Sequence, residues 1–152
     1  MKKSLKITAI VSVGLFLFLI DRFIKGIITV NQNFSFDLFF DWFRFEVMSN
    51  SGVAFGIPVA YWILMALYAI ILLGLCFAAI SAVLKNDLKS LSSIMFIAFG
   101  AFSNFLDRIR FGFVWDYLYL KNFSVFNIAD IMITAGVAAY LALNLFKVKD
   151  KI

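Results

Sequence analysis

Long uncharged runs alternate with short polar segments along the chain. One such run covers Ile7–Ile20 and another extends from Val47 to Leu84. A helix needs about 20 residues to cross the hydrocarbon core of a bilayer, and backbone in lipid must satisfy its own hydrogen bonds. We therefore predict four membrane-spanning helices, at residues 5–28, 59–84, 90–106 and 125–146.

The segment between the first two predicted helices has a different pattern. Apolar and polar residues alternate from Phe34 to Asp37 and again from Phe43 to Val47, which is typical of β-strands. We place residues 31–57 and 107–124 outside the membrane, although a plain connecting loop is an alternative for the first. The predicted fold class is an all-α membrane protein with a small extracytoplasmic β element, forming one domain over residues 1–152.

The composition excludes several classes of protein and of chemistry. Hydrophobic residues make up 64% of the chain and charged residues 15%, against roughly 45–50% and about 25% in soluble domains. With no His and one Cys, the chain cannot form a Ser-His-Asp triad, a Cys-His pair or a His-rich metal site. Cys76 lies in an apolar run and is predicted to be a buried hydrophobic residue. We expect neither a metal nor another cofactor.

The positive charge is concentrated at the ends and the middle of the chain. The formal net charge is +5, and eight lysines flank the predicted spans: Lys2, Lys3, Lys6, Lys85, Lys89, Lys147, Lys149 and Lys151. Because cytoplasmic loops are enriched in Lys and Arg, both termini and the turn around Lys85 are predicted to be cytoplasmic. Membrane orientation explains the charge, so no nucleic-acid partner is expected.

Polar residues also occur at the ends of the predicted spans, where a charge costs at least about 2.5–3.5 kcal/mol. Asp21 and Lys25 are four residues apart and can pair on one helix face, or can simply anchor the helix at the interface. Asn104, Asp107 and Arg108 are spaced to lie on one helical face, so we predict that an amide, a carboxylate and a guanidinium converge there.

Two further carboxyls have mainly apolar neighbours in the sequence, Asp116 and Asp130. If they lie close together, desolvation and like charge leave them sharing one proton, which provides a general base and a general acid for water attack on an amide. Two alternatives remain open. The acids could line an ion path in a transport protein, or Asp107 could join them in holding Mg²⁺ in a membrane transferase.

Five blocks of the sequence, in this order, closely resemble the lipoprotein signal peptidase (signal peptidase II) family of bacterial membrane aspartyl peptidases. The similar blocks are Asp21 with Lys25, Asn50–Gly56, Asn104 with Asp107 and Arg108, Val114–Tyr117, and Phe126–Asp130.

The resemblance implies roles for these residues. Asp116 and Asp130 would form the catalytic pair, with Asp107 in a supporting structural role, and residues 31–56 would form a small sheet and an interfacial helix that cradle the substrate. The supporting or substrate-binding residues would be Asp21, Lys25, Asn50, Gly52, Asn104, Asp107, Arg108, Asn127 and Ala129.

The function implied by the resemblance is removal of signal peptides. The substrate would be a prolipoprotein with a diacylglyceryl-modified cysteine, cut on the N-terminal side of that cysteine. The enzyme would be a multi-pass protein of the bacterial inner membrane, in contact with membrane lipids, monomeric, and with its active site near the outer face. A catalytically inactive relative is a further alternative.

The chain departs from the family pattern at a few positions. Ala101 and Ser103 stand where the family usually has glycine, and Ser124 stands where it commonly has proline. The segment between Asp116 and Asp130 is also shorter than expected. The replaced glycines predict a slightly looser helix contact, and the short segment predicts a changed outer wall of the site. Each functional carboxylate stays in place.

Overall fold

Four long helices and four short strands make up the part of the chain that the structure describes. The structure is a computed structural model, and it describes residues 2–32, 34–40, 42–52 and 59–149. In chain order the elements are α1 (Lys2–Ile28), β1 (Ser35–Phe39), β2 (Phe43–Asn50), α2 (Tyr61–Leu84), α3 (Leu88–Phe111), β3 (Val114–Leu120), β4 (Ser124–Phe126) and α4 (Ile128–Lys149). The predicted fold class is confirmed.

Helix α3 is the centre of the helical bundle. All four helices are long and apolar enough to cross a membrane, and half of the most apolar window of α3 is buried, against 6% of the corresponding window of α2. The other three helices each pack on α3. The apolar surfaces of α1, α2 and α4 are therefore left to face lipid, and the chain is a multi-pass membrane protein.

Two glycines allow α3 and α4 to approach closely. A Cβ added at Gly100 would lie 2.5 Å from the carbonyl oxygen of Ala129, and one added at Gly136 would lie 2.8 Å from that of Ser93. Small residues at such contacts let helix backbones pack against each other in membranes. The contact at Gly100 fixes the start of α4, which carries Asp130.

The strands form one antiparallel sheet in the order β1-β2-β3-β4. The first two strands follow α1, as the alternating pattern predicted, and the last two follow α3, where no strand was predicted. The pairing of β2 with β3 places Met48 opposite Asp116 and Asn50 opposite Val114. The expected interfacial helix is absent from residues 31–32, 34–40 and 42–52, and residues 53–58 lie outside the described residues.

Several predicted boundaries were wrong. Helix α3 continues past residue 106 to Phe111 and ends at Gly112, whose φ is 80°. Asp107 is paired with cations of α1 and Arg108 is hydrogen-bonded inside the protein, so neither residue stops the helix. Helix α4 begins at Ile128 rather than at residue 125, because residues 124–126 pair with β3 as β4. The prediction that Cys76 is buried was also wrong. Its side chain is exposed on α2, because most of the apolar surface of this helix is left to face lipid.

Candidate active site

Buried ion pairs join α1 to α3. The Nζ of Lys25 lies 2.9 Å from the Oδ2 of Asp21 and 2.9 Å from the Oδ2 of Asp107, and all three side chains are fully buried. Arg22 also pairs with Asp107. Two carboxylates thus face two cations, which is how charges within membrane-spanning segments are usually accommodated.

The same lysine fixes the orientation of a neighbouring amide. Lys25 Nζ donates to the Oδ1 of Asn104 at 2.9 Å, and Asn104 Nδ2 donates to the Oδ1 of Asp130 at 2.8 Å. A lysine ammonium can only donate, so it must face the oxygen of the amide. The amide nitrogen is therefore directed at Asp130, and the ion pairs on α1 are linked to α4.

Arg108 points to a different part of the molecule. Its guanidinium donates to the Tyr68 hydroxyl at 3.0 Å and to the carbonyl of Gly52, while the Tyr61 hydroxyl donates to the Arg108 carbonyl at 3.2 Å. The predicted convergence of three polar groups is thus only partly correct. Asn104 and Asp107 join the same network through Lys25, whereas Arg108 connects α3 to α2 and to the end of β2.

Helix α4 begins with a reciprocal cap. The N–H of Asp130 donates to the Oδ1 of Asn127 at 2.9 Å, and the N–H of Asn127 donates back to the Oδ2 of Asp130 at 3.2 Å. This is the capping-box arrangement, in which two helix-end donors are satisfied together. The Nδ2 of Asn127 also donates to the Oδ1 of Asp116 at 2.6 Å. One amide side chain therefore contacts both Asp116 and the residue that carries the second carboxyl.

Asp116 lies on β3 and is 3% exposed. The Nδ2 of Asn50 donates to its Oδ2 at 3.1 Å, and the Oδ1 of Asn50 accepts the N–H of Gly52 at 3.0 Å. Burial, and next the nearby charge of Asp130, raise the pKa of Asp116 from 3.8 to about 7, against the lowering effect of the hydrogen bonds from Asn50 and Asn127. A carboxyl of this kind holds a proton near neutral pH.

Two hydroxyl groups in the site were not anticipated from the sequence. Tyr117 donates to the Oδ1 of Asp21 at 2.7 Å, and Ser103 donates to the Oδ2 of the same carboxylate at 2.6 Å. Ala129, which the sequence did single out, is fully buried and donates its N–H to Asp21 at 3.3 Å. The one available signal was position, because each hydroxyl lies within or beside a polar block.

The acids in this region are occupied by different partners. Asp107 is bonded to Lys25 and Arg22, and also accepts the N–H of Trp115 at 3.3 Å. Asp116 and Asp130 are instead bonded to amide groups. Within the described ranges, no group of three or more His, Cys, Asp or Glu is arranged to hold a metal ion.

Comparison with known sequences gives a consistent result. The profile of a family described as "Signal peptidase (SPase) II" matches residues 13–146. A lipoprotein signal peptidase from Brevibacillus brevis is 35% identical over 127 residues, which cover 80% of this chain and 85% of the relative. One from Halothermothrix orenii is 31% identical over 137 residues, covering 89% of this chain and 93% of the relative.

Solved structures show the same similarity in three dimensions. A bacterial membrane enzyme determined by the in meso method at 2.3 Å resolution matches with a TM-score of 0.85 and 25% identity, over 95% of this chain and 92% of that chain. A second, determined at 1.9 Å, matches with a TM-score of 0.74 and 26% identity. Taken with the site, these similarities show that the chain belongs to the signal peptidase II family and is an aspartic peptidase.

Proposed function

We propose that Asp116 and Asp130 are the catalytic pair, and that they activate water against the peptide bond before a lipidated cysteine in a prolipoprotein. The observation that carries this proposal is the position of Asn127. Its side chain bonds Asp116 and caps the helix turn that carries Asp130. Two carboxyls are thereby brought to one end of α4, bonded to neutral amides, whereas Asp107 and Asp21 are neutralised by cations.

The proposed chemistry requires one proton on the pair. Closely spaced carboxyls cannot both ionise easily, so the ionised one takes the proton of the attacking water while the protonated one polarises the scissile carbonyl. The protonated one then gives its proton to the leaving amine as the C–N bond breaks. The pair titrates as a unit rather than as two separate residues. The raised pKa of Asp116, about 7, supports this arrangement, because it keeps a proton available at neutral pH. Cleavage is then expected to decline above about pH 7.

Substrate binding is proposed at the end of β2. Asn50 is bonded to Asp116, and Gly52 is held by Asn50 and Arg108, so this fixed segment suits contact with the substrate backbone near the cut bond. The exposed aromatic side chains of Phe39 and Trp42 suit the lipid interface. As membership of the signal peptidase II family implies, the proposed substrate is a prolipoprotein with a diacylglyceryl cysteine, processed near the outer face of the inner membrane by a monomeric enzyme.

The direct test uses the purified protein in detergent with a diacylglyceryl-modified prolipoprotein and follows the product by mass. Asp116→Asn and Asp130→Asn should each reduce kcat at least about a hundredfold, since general acid and base catalysis contributes typically 10²–10⁴-fold per group. Asp37→Asn is the matched control, because Asp37 is an exposed carboxyl on β1, and it should leave kcat unchanged.

Three outcomes would contradict the proposal, one from this test and two from repeating it with EDTA and from measuring charge flux in proteoliposomes. Near-normal turnover by either Asn variant would exclude the pair. Loss of cleavage in EDTA, with recovery on adding Mg²⁺, would favour the transferase-like metal site. Failure of the folded protein to cleave any lipidated precursor, together with charge flux in proteoliposomes, would favour a transport role.

A further inference from the structure

The start of α4 is held by groups from other elements as well as by its own cap. A helix has four N–H groups at its beginning that find no partner within the helix. In α4 these belong to Asn127 and the next three residues, and the reciprocal cap satisfies those of Asn127 and Asp130. The N–H of Ile128 donates to the hydroxyl of Tyr117 at 3.2 Å, and that of Ala129 to the Oδ1 of Asp21 at 3.3 Å.

The two outside partners, Tyr117 and Asp21, are also bonded to each other. Tyr117 donates through its hydroxyl to Asp21 Oδ1 at 2.7 Å while it accepts from Ile128, and its side chain is fully buried. The other oxygen of Asp21 is held by Ser103 at 2.6 Å and by Lys25 at 2.9 Å. The tyrosine oxygen is thus bonded on one side to a fixed carboxylate of α1 and on the other to the first residue of α4.

The hydroxyl is suited to this contact because it keeps its proton. Burial, and next the charge of Asp21, raise the pKa of Tyr117, so the hydroxyl remains a donor to the carboxylate at working pH. An anionic acceptor near the positive end of the helix dipole is itself favourable. The contact therefore combines a charge-assisted hydrogen bond with the capping of a helix.

We propose that the hydroxyl of Tyr117 is a positioning group, which holds the first turn of α4, and with it Asp130, in place relative to Asp116. Tyr117 directly follows Asp116 on β3, so one strand supplies one carboxyl and fixes the helix that carries the other. This role rests on the proposed function of the two carboxyls. Tyr117 acts through Asp130 and does not need to touch the substrate.

The first test is kinetic. Tyr117→Phe keeps the ring, which stacks on Phe45 with centroids 5.6 Å apart, and removes only the hydroxyl. Because small misplacement of catalytic groups is costly, kcat per folded molecule should fall at least about tenfold, with KM within about twofold. Tyr119→Phe is the matched control on the same strand, since its ring lies under Arg44 at 4.5 Å, and it should behave as wild type.

Two kinetic outcomes would overturn the positioning role. The first is a kcat of Tyr117→Phe within about twofold of the Tyr119→Phe control. The second is a loss of activity fully explained by a smaller folded fraction, measured by size-exclusion chromatography and thermal unfolding of the same samples.

The second test does not depend on cleavage. Amide hydrogen exchange of the intact protein in detergent should be at least about tenfold faster at Ile128 and Ala129 in Tyr117→Phe, because local opening frees these N–H groups. Helices α2 and α3 should exchange as in wild type. Unchanged exchange at these two residues would overturn the proposal. If wild-type protein failed to cleave, the proposed function would fail while this measurement still decided whether Tyr117 holds the helix.

Discussion

Burying the ionised carboxylate of Asp116 costs free energy, and the hydrogen bonds from its neighbours offset only part of that cost. Asp116 is almost fully buried and receives hydrogen bonds from Asn50 and Asn127, yet no cation is bonded to it among the described residues. Its ionised form is therefore disfavoured. The carboxylate of Asp107 has different partners, since it is bonded to two cations. Asp116 on β3 is thus bonded to neutral amides, whereas Asp107 on α3 is bonded to cations.

This cost gives a prediction about stability. The pKa of Asp116 is about 7 in the folded protein and 3.8 ordinarily, so between these values the folded state binds more protons and its stability falls as pH rises. The change corresponds to at most about 4 kcal/mol. Asp116→Asn should therefore unfold at a higher temperature than wild type at pH 8, with the difference shrinking toward pH 5.

The asparagine would gain less than the full amount, because its amide nitrogen must face a donor from Asn50 or Asn127. Thermal unfolding in detergent at both pH values measures the effect, with Asp37→Asn as the exposed control. A variant less stable than wild type at pH 8 would show that ionised Asp116 is stabilised in the fold.

At the scale of elements, the helices could be predicted from the sequence better than the sheet. Uninterrupted apolar runs identify a membrane helix without reference to other segments. Strands β3 and β4 could not be found in this way. Residues 114–117 of β3 are all buried, so no alternation of apolar and polar side chains marks the strand in the sequence. The end of α3 was misplaced for a related reason, since Asp107 looked like a helix end until its partners Lys25 and Arg22 were known.

In the candidate site, the residues themselves could be predicted from the sequence, but the contacts between them could not. Each acid and amide could be selected from local sequence because a polar residue beside an apolar span is unusual. Their connections could not, because they join residues far apart in sequence, as with Asn50 and Asp116 or Asn104 and Asp130. The short spacing of Asn127 and Asp130 was visible in the sequence, and the capping box they form would have predicted the start of α4 correctly.

The close contact of α3 with α4 can be tested through its glycines. Gly100→Ala should lower stability by about 1–3 kcal/mol, the usual cost of overpacking, and should also reduce kcat, because the added Cβ meets the carbonyl of Ala129 next to Asp130. Gly136→Ala should lower stability with a smaller effect on kcat, since its contacts are with Ser93 and Ile97.

Gly74→Ala serves as the control for helix propensity. A Cβ at Gly74 meets no atom within 4 Å, so this substitution in α2 should be neutral or slightly stabilising. The measurements are thermal unfolding and kcat on the same preparations. If Gly100→Ala were as stable and as active as wild type, α4 would be able to shift without disturbing the site.

At the scale of the whole molecule, the charge distribution predicts one orientation in the membrane. The lysine-rich turn between α2 and α3 lies at the opposite end of the bundle from the sheet, so the two ends should face different compartments. In a Cys76→Ser background, Gln32→Cys should react with a membrane-impermeant maleimide in intact spheroplasts of a bacterial host. Lys85→Cys should react only after permeabilisation, and both positions are exposed. The reverse pattern would contradict the predicted topology.

The ion pairs between α1 and α3 also have a consequence for biosynthesis. Arg22 and Asp107 are 85 residues apart in sequence, so at roughly 5–20 residues per second Arg22 is synthesised about 4–17 s before Asp107. During that interval Asp21 and Lys25 can neutralise each other within α1, whereas Arg22 has no such partner one turn away. We therefore expect the end of α1 that carries Arg22 to stay in contact with water, lipid headgroups or the translocation machinery until α3 arrives, so that full insertion of this end of α1 is a late step.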